Sequence, residues 1–228
     1  VNKSSELLCA YGGVAFCVFL GAGIWCVAGG LVPMDPALNA QQVDQVFAQH
    51  GGEIRVGAAL LCFGSMFFWP FAAAIASQMK RIEGVYHPLA DTQMATASGT
   101  VIAALLAAFI WMALTFRPGA IAVPGGQTMN DLAWIVLIAA YPPATIQCVA
   151  MGVCMLSRRN VGVYPRWLGF ANFWAAVVFV AGALVPFFQT GPFAWNGLIA
   201  YWLVASVFFV WILVMVWATA RAVATAPG

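Results

Sequence analysis

Long apolar stretches recur along the chain, each near the twenty or so residues that carry a helix across the hydrocarbon core of a bilayer, and short polar segments separate them. The pattern predicts six transmembrane helices, over Leu7 to Val32, Arg55 to Met79, Thr92 to Phe116, Asn130 to Arg159, Leu168 to Phe188 and Asn196 to Arg221. The first carries Gly13, Cys17 and Gly21 four apart and the third carries Ala95, Gly99, Ala103 and Ala107. Such stripes of small side chains let a neighbouring backbone come close. Near the start of the third helix, the hydroxyls of Thr96, Ser98 and Thr100 can bond their own preceding carbonyls.

The polar segments also carry structure. Asn39-Ala40-Gln41-Gln42 has capping-box spacing, Val43, Val46 and Phe47 share one helical face, and Gly51-Gly52 reads as a stop. This predicts a short amphipathic helix on the outer membrane surface between the first two spans, serving as a connector or as a lid over an outward-facing cavity. Lys80 to Asp91 reads as a charged turn, and Arg117 to Met129, with Pro118-Gly119 and Pro124-Gly125-Gly126, as a turn-rich loop. Asn130 or Asp131 is expected to cap the fourth helix and Asn196 the sixth.

Two proline sites interrupt the apolar pattern. Pro142 and Pro143 follow Tyr141 near the middle of the fourth helix, and each removes an amide donor and crowds the carbonyl four residues back, here Ile138 and Ala139. A break is expected there. Backbone carbonyls left free at membrane depth need partners from protein or water, so the break should face the interior near Gln147 rather than lipid. Trp69-Pro70 marks a second interruption in the second helix.

Composition raises the membrane reading to a class. The chain is 64% apolar and 7% charged, against roughly half and a quarter in globular domains. A single all-α domain over residues 1–228, an integral membrane helical bundle, follows. The first apolar run is too long for a signal peptide and lacks a small-residue cleavage site, so the first helix is expected to stay. With the amino terminus in the cytoplasm, Lys3, Lys80, Arg81, Arg158, Arg159, Arg166 and Arg221 lie inside and only Arg55 and Arg117 outside. That asymmetry places both termini in the cytoplasm and points to a multi-pass protein of a bacterial inner membrane. The two halves of three spans would then have opposite topology, as in inverted-repeat transporters, but their prolines and loops do not correspond. A net charge of +2 with no clustered basic surface gives a nucleic-acid partner no support.

The chemistry is marked by what is missing. His50 and His87 lie in different segments outside the spans, so no histidine pair is placed to hold haem or copper within the membrane. Lys3 and Lys80 are at the boundary, which leaves no midspan lysine for a retinal Schiff base, and no span has the central carboxylate on which ion coupling relies. Cys9, Cys17, Cys26, Cys62, Cys148 and Cys154 lack ligand spacing, so neither a metal nor a cofactor is expected. Tyr141, Gln147, Asn172 and Trp174 remain, with Trp69 at the second break. They suit an apolar ligand that carries one hydroxyl or carbonyl. The competing reading of Gln147 and Asn172 is packing glue between helices.

From the second helix onward the chain resembles a group of uncharacterised bacterial six-span integral membrane proteins. The residues that carry the likeness are Gln78-Met79-Lys80-Arg81-Ile82-Glu83-Gly84, Asn130-Asp131-Leu132-Ala133-Trp134, the run from Pro165 to Trp174, and Gly191-Pro192-Phe193-Ala194-Trp195-Asn196-Gly197. The resemblance implies six spans and no assigned activity. The resulting expectation is a non-enzymatic inner-membrane protein that binds a neutral lipophilic molecule or serves as an auxiliary subunit of a membrane complex. Its partners would be membrane lipids, a lipophilic small molecule and other membrane subunits. The alternatives are a transporter or facilitator of a neutral or hydrophobic solute and, third, a membrane enzyme acting on lipid.

Overall fold

A computed structural model describes residues 3–117 and 125–226. Six helices in it are long and apolar enough to cross a membrane, the signature of a multi-pass membrane protein, and no strand occurs among the described residues. The predicted Pro118-Gly119 turn and Pro124 fall outside the described residues.

The first span is α1, Lys3–Ala28. It ends where Gly29 and Gly30 take positive φ of 68° and 147°, and the Gly30 amide donates to the Trp25 carbonyl at 2.9 Å. Glycine enters that left-handed region without a Cβ penalty, so the helix closes four residues before the predicted Val32. The predicted capping box is present at the start of α2, Ala40–Ser65: the Gln42 amide donates to Asn39 Oδ1 at 3.0 Å and the Asn39 amide to Gln42 Oε1 at 2.9 Å. The predicted stop at Gly51-Gly52 is absent. Neither glycine adopts positive φ and the helix runs through both, because the pair costs about 2 kcal/mol of helix propensity but blocks no hydrogen bond. The capped segment and the second span are therefore one helix.

That helix breaks at Met66 and Phe67, four and three residues before Pro70, and resumes as α3, Phe68–Glu83. The predicted charged loop shrinks accordingly. The third span, α4, Pro88–Thr115, starts with its proline in the first turn, where a missing amide costs nothing, and the Glu83 carboxylate accepts from the Leu89 and Ala90 amides at 3.1 and 2.8 Å.

The fourth span is α5, Gly126–Ile138, and α6, Tyr141–Leu156, separated at Ala139 and Ala140. Asn130 and Asp131 do not cap it. The helix begins one turn earlier, and Asn130 is buried with its Oδ1 accepting from Trp111 Nε1 at 3.3 Å. The fifth span is α7, Arg166–Phe179, continued by a 3-10 segment, Val180–Phe187, that contains Pro186. The sixth opens with a π-helical segment, Leu198–Leu203, and continues as α8, Val204–Ala224. Gly197, not Asn196, occupies its cap, without a side-chain hydrogen bond.

Packing makes α4 the hub, against α2, α3, α5 and α6, while α1 lies against α2, α3 and α8. Most of the basic residues collect at one end, where Lys3 Nζ reaches the Ala224 carbonyl, Arg81 the Ala222 carbonyl and Arg159 the Glu83 carbonyl. Arg55 meets the Thr115 carbonyl at the other.

Candidate functional site

Of three departures from α-helical backbone in the bundle, two line one cavity and the other packs against the first of them. The first is the break of the fourth span. Pro142 and Pro143 have no amide to offer Ile138 and Ala139, so α5 ends there. The Ile138 carbonyl turns toward Gly182 in the 3-10 segment, so closely that a Cβ built on Gly182 would stand 2.6 Å from the oxygen. The expected interior orientation is thus present, but the partner is the fifth span rather than Gln147. The second departure is that 3-10 segment. The third is the π-helical start of the sixth span, where the Trp202 amide donates to Gly197 five residues back at 3.3 Å and the Ile199 and Ala200 amides share the Pro192 carbonyl at 2.9 and 3.1 Å.

The cavity has a volume of about 120 Å³. Phe16, Leu20 and Ile24 form its α1 wall, a stripe with four-residue spacing that brings them onto one helical face. Ala103 and Ala104 of α4 and Ala144 of α6 leave the space, and Phe179, Phe208 and Phe209 close the far side. No Asp, Glu, Lys, Arg or His lines it. An apolar cavity of about 150 Å³ is known to admit benzene; at about 120 Å³ this one is smaller and suits part of an apolar chain.

Few polar groups reach it. Thr100 is in the lining, but its hydroxyl is closed off from the void and has no hydrogen-bond partner, unlike Thr96 and Ser98 on the same helix, which bond back to the Thr92 and Met94 carbonyls as expected. Tyr141, in the first turn of α6, also lines the cavity. The third is Tyr201, whose hydroxyl donates to the Leu31 carbonyl at 3.2 Å. Leu31 belongs to a strap between α1 and α2 that Trp195 Nε1 holds at the Met34 carbonyl, 2.7 Å, and Gln127 Nε2 at the Leu38 carbonyl, 2.9 Å. A buried polar atom without a partner costs about 1–3 kcal/mol, and the Thr100 hydroxyl carries that cost behind the cavity wall, which leaves Tyr141 as the polar side chain open to a ligand.

The five residues singled out in the sequence do not come together. Tyr141 is at the cavity. Gln147, 1% exposed, has an unpartnered Nε2 but lies outside the lining. Asn172 is bonded internally, with Oδ1 accepting from Trp211 Nε1 at 2.9 Å and Nδ2 donating to the Leu168 carbonyl at 2.8 Å. Trp69 Nε1 donates to Ser98 Oγ at 3.2 Å and joins α3 to α4. Trp174 is 58% exposed on the outside of α7. Thr100 escaped selection because its hydroxyl reads as self-satisfied in a helix, and no sequence signal marks the aromatic walls as facing a void. Among the described residues no three His, Cys, Asp or Glu side chains gather where they could hold a metal.

No protein-family model, curated protein or solved structure shows significant similarity to this chain.

Proposed function

We propose that this is a non-enzymatic inner-membrane protein whose central cavity binds a neutral lipophilic molecule with one hydroxyl or carbonyl group. The observation that carries the reading is the lining itself, apolar apart from Thr100, Tyr141 and Tyr201 and free of Asp, Glu, Lys, Arg and His. A ligand oxygen would bond the Tyr141 hydroxyl, and the hydrocarbon part would fill space between Phe16, Phe179 and Phe208. The absence of Asp, Glu, Lys, Arg and His from the lining favours a neutral ligand over an ion. Both termini and the basic end face the cytoplasm in this proposal, with the amino-terminal turns of α2 at the outer surface.

A second reading, facilitated passage of a neutral solute, draws support from the helix break and the π segment that line the cavity. Non-helical backbone at membrane depth is tolerated where protein or a solute path covers it. Mass spectrometry of protein purified from native membranes separates the two. Binding predicts one neutral molecule retained per chain and lost in Ala144→Leu, which fills the cavity. Passage predicts no retained molecule and solute flux into liposomes that Ala144→Leu blocks.

A further inference from the structure

A second feature lies on the outside of the bundle. Helices α7 and α8 touch only sparingly, and between them runs an apolar groove of about 400 Å³. Leu168, Ala175 and Trp211 are its buried floor, and the exposed Trp167, Trp174 and Val210 are its walls. It continues past Val214 to Trp217, whose ring stacks on that of Trp167 at 6.3 Å between centroids. From Ser206 to Trp217 the groove follows α8 for about 16 Å at the α-helical rise, close to half of the ~30 Å hydrocarbon core. It has the length of one leaflet.

Its mouth is cationic. Arg166 opens α7 beside Trp167, and Arg221 sits in the last turn of α8 with its guanidinium 5.7 Å from the Trp217 ring centre. The carboxylates at this end are occupied: Glu6 accepts from Ser77 and Gln78, Glu83 from the Leu89 and Ala90 amides, and Asp91 from Lys80 and His87. Among the described residues neither Arg166 nor Arg221 has a carboxylate within ion-pairing distance. Stacked tryptophans beside two arginines without carboxylate partners suit an acyl chain in the groove and a phosphate at its mouth.

We propose that the groove between α7 and α8 is a binding site for one anionic phospholipid, with its phosphate at Arg166 and Arg221 and an acyl chain along Trp167, Trp174 and Val210. The site is separate from the central cavity and does not depend on what that cavity holds. Native mass spectrometry of the detergent-purified full chain, with phosphatidylglycerol or phosphatidylcholine of matched chains added, tests it. The expected result is one phosphatidylglycerol per chain, retained at least about tenfold more than phosphatidylcholine and reduced to the phosphatidylcholine level in Arg166→Gln/Arg221→Gln. Phosphatidylglycerol with brominated acyl chains should quench tryptophan fluorescence in the native chain, and less in Val210→Phe, which narrows the groove without adding a fluorophore. Ala144→Leu should leave both signals unchanged. Equal retention of the two lipids, retention indifferent to the double substitution, or a lipid-free dimer of the chain would each overturn the proposal, provided circular dichroism shows the variants folded.

Discussion

Thr100 and Asn172 are both buried polar side chains on spanning helices, and they stand at opposite limits of satisfaction. Every polar atom of Asn172 that could cost free energy has a partner, including the Met155 and Met215 sulfurs near Nδ2. Asn172→Leu should therefore lower stability by about 1–3 kcal/mol, since it strands the Trp211 indole N–H. Thermal unfolding in detergent measures the loss, and the content of the central cavity should not change. Thr100→Val should behave in the reverse manner. The fold gives up no internal hydrogen bond, so the unfolding temperature should hold or rise, and ligand retention should not change, because the hydroxyl is closed off from the cavity. Tyr141→Phe should weaken retention of an oxygen-bearing ligand about fivefold, the value of one hydrogen bond of about 1 kcal/mol. An oxygen-bearing ligand indifferent to Tyr141→Phe would mean that it binds elsewhere.

At the scale of elements, each proline break lies against a glycine of a neighbouring span. The Phe67 carbonyl faces Gly12 of α1, where a Cβ would stand at 2.8 Å, while still accepting from the Phe71 amide at 3.4 Å, and the Ile138 carbonyl, which Pro142 leaves without its helical donor, faces Gly182. In both places the small residue lets the carbonyl pack against the partner helix. Gly182→Ala should force the fourth and fifth spans apart and cost about 1–3 kcal/mol, as overpacked sites do, again read by thermal unfolding. Replacing Pro142 and Pro143 together by Ala returns two amide donors to α6. The double variant should show slower hydrogen exchange across 138–147 and a smaller amount of retained ligand, because a continuous helix would draw Tyr141 out of the cavity wall. Unchanged exchange would mean that packing against the 3-10 segment, rather than proline, maintains the break.

For the whole molecule, the distribution of charge is the main determinant. Lys3, Arg81 and Arg159 bond carbonyls at one end of the bundle, and the exposed Lys80 pairs with Asp91 nearby, whereas Arg55 reaches Thr115 at the other end. With that basic end in the cytoplasm, cysteines introduced at Ser4 and Thr225 should resist a membrane-impermeant maleimide in intact cells and react after permeabilisation. Labelling of either site from outside would invert the orientation. The same charge distribution bears on the lipid groove, since it would place Arg166 and Arg221 at the leaflet where anionic lipid is richest.

Six apolar runs, two proline interruptions and the capping box at Asn39 could all be read without coordinates, because each is a local property: hydropathy over twenty residues, a missing amide, a side chain three residues from its partner. Even the break in the fourth span was legible to within two residues of Tyr141. The failures are local signals overruled by their surroundings. Gly51-Gly52 continues as helix, and Asn130 serves Trp111 instead of a helix end. Only the tertiary structure decided that Asn172 is spent on Trp211, that Gln147 and Trp174 lie apart from Tyr141, and that Thr100 is left without a partner beside a void. Whether a polar side chain is satisfied depends on which faces of distant helices meet. The walls of the cavity run from Phe16 to Phe209, a separation across which no periodicity carries information.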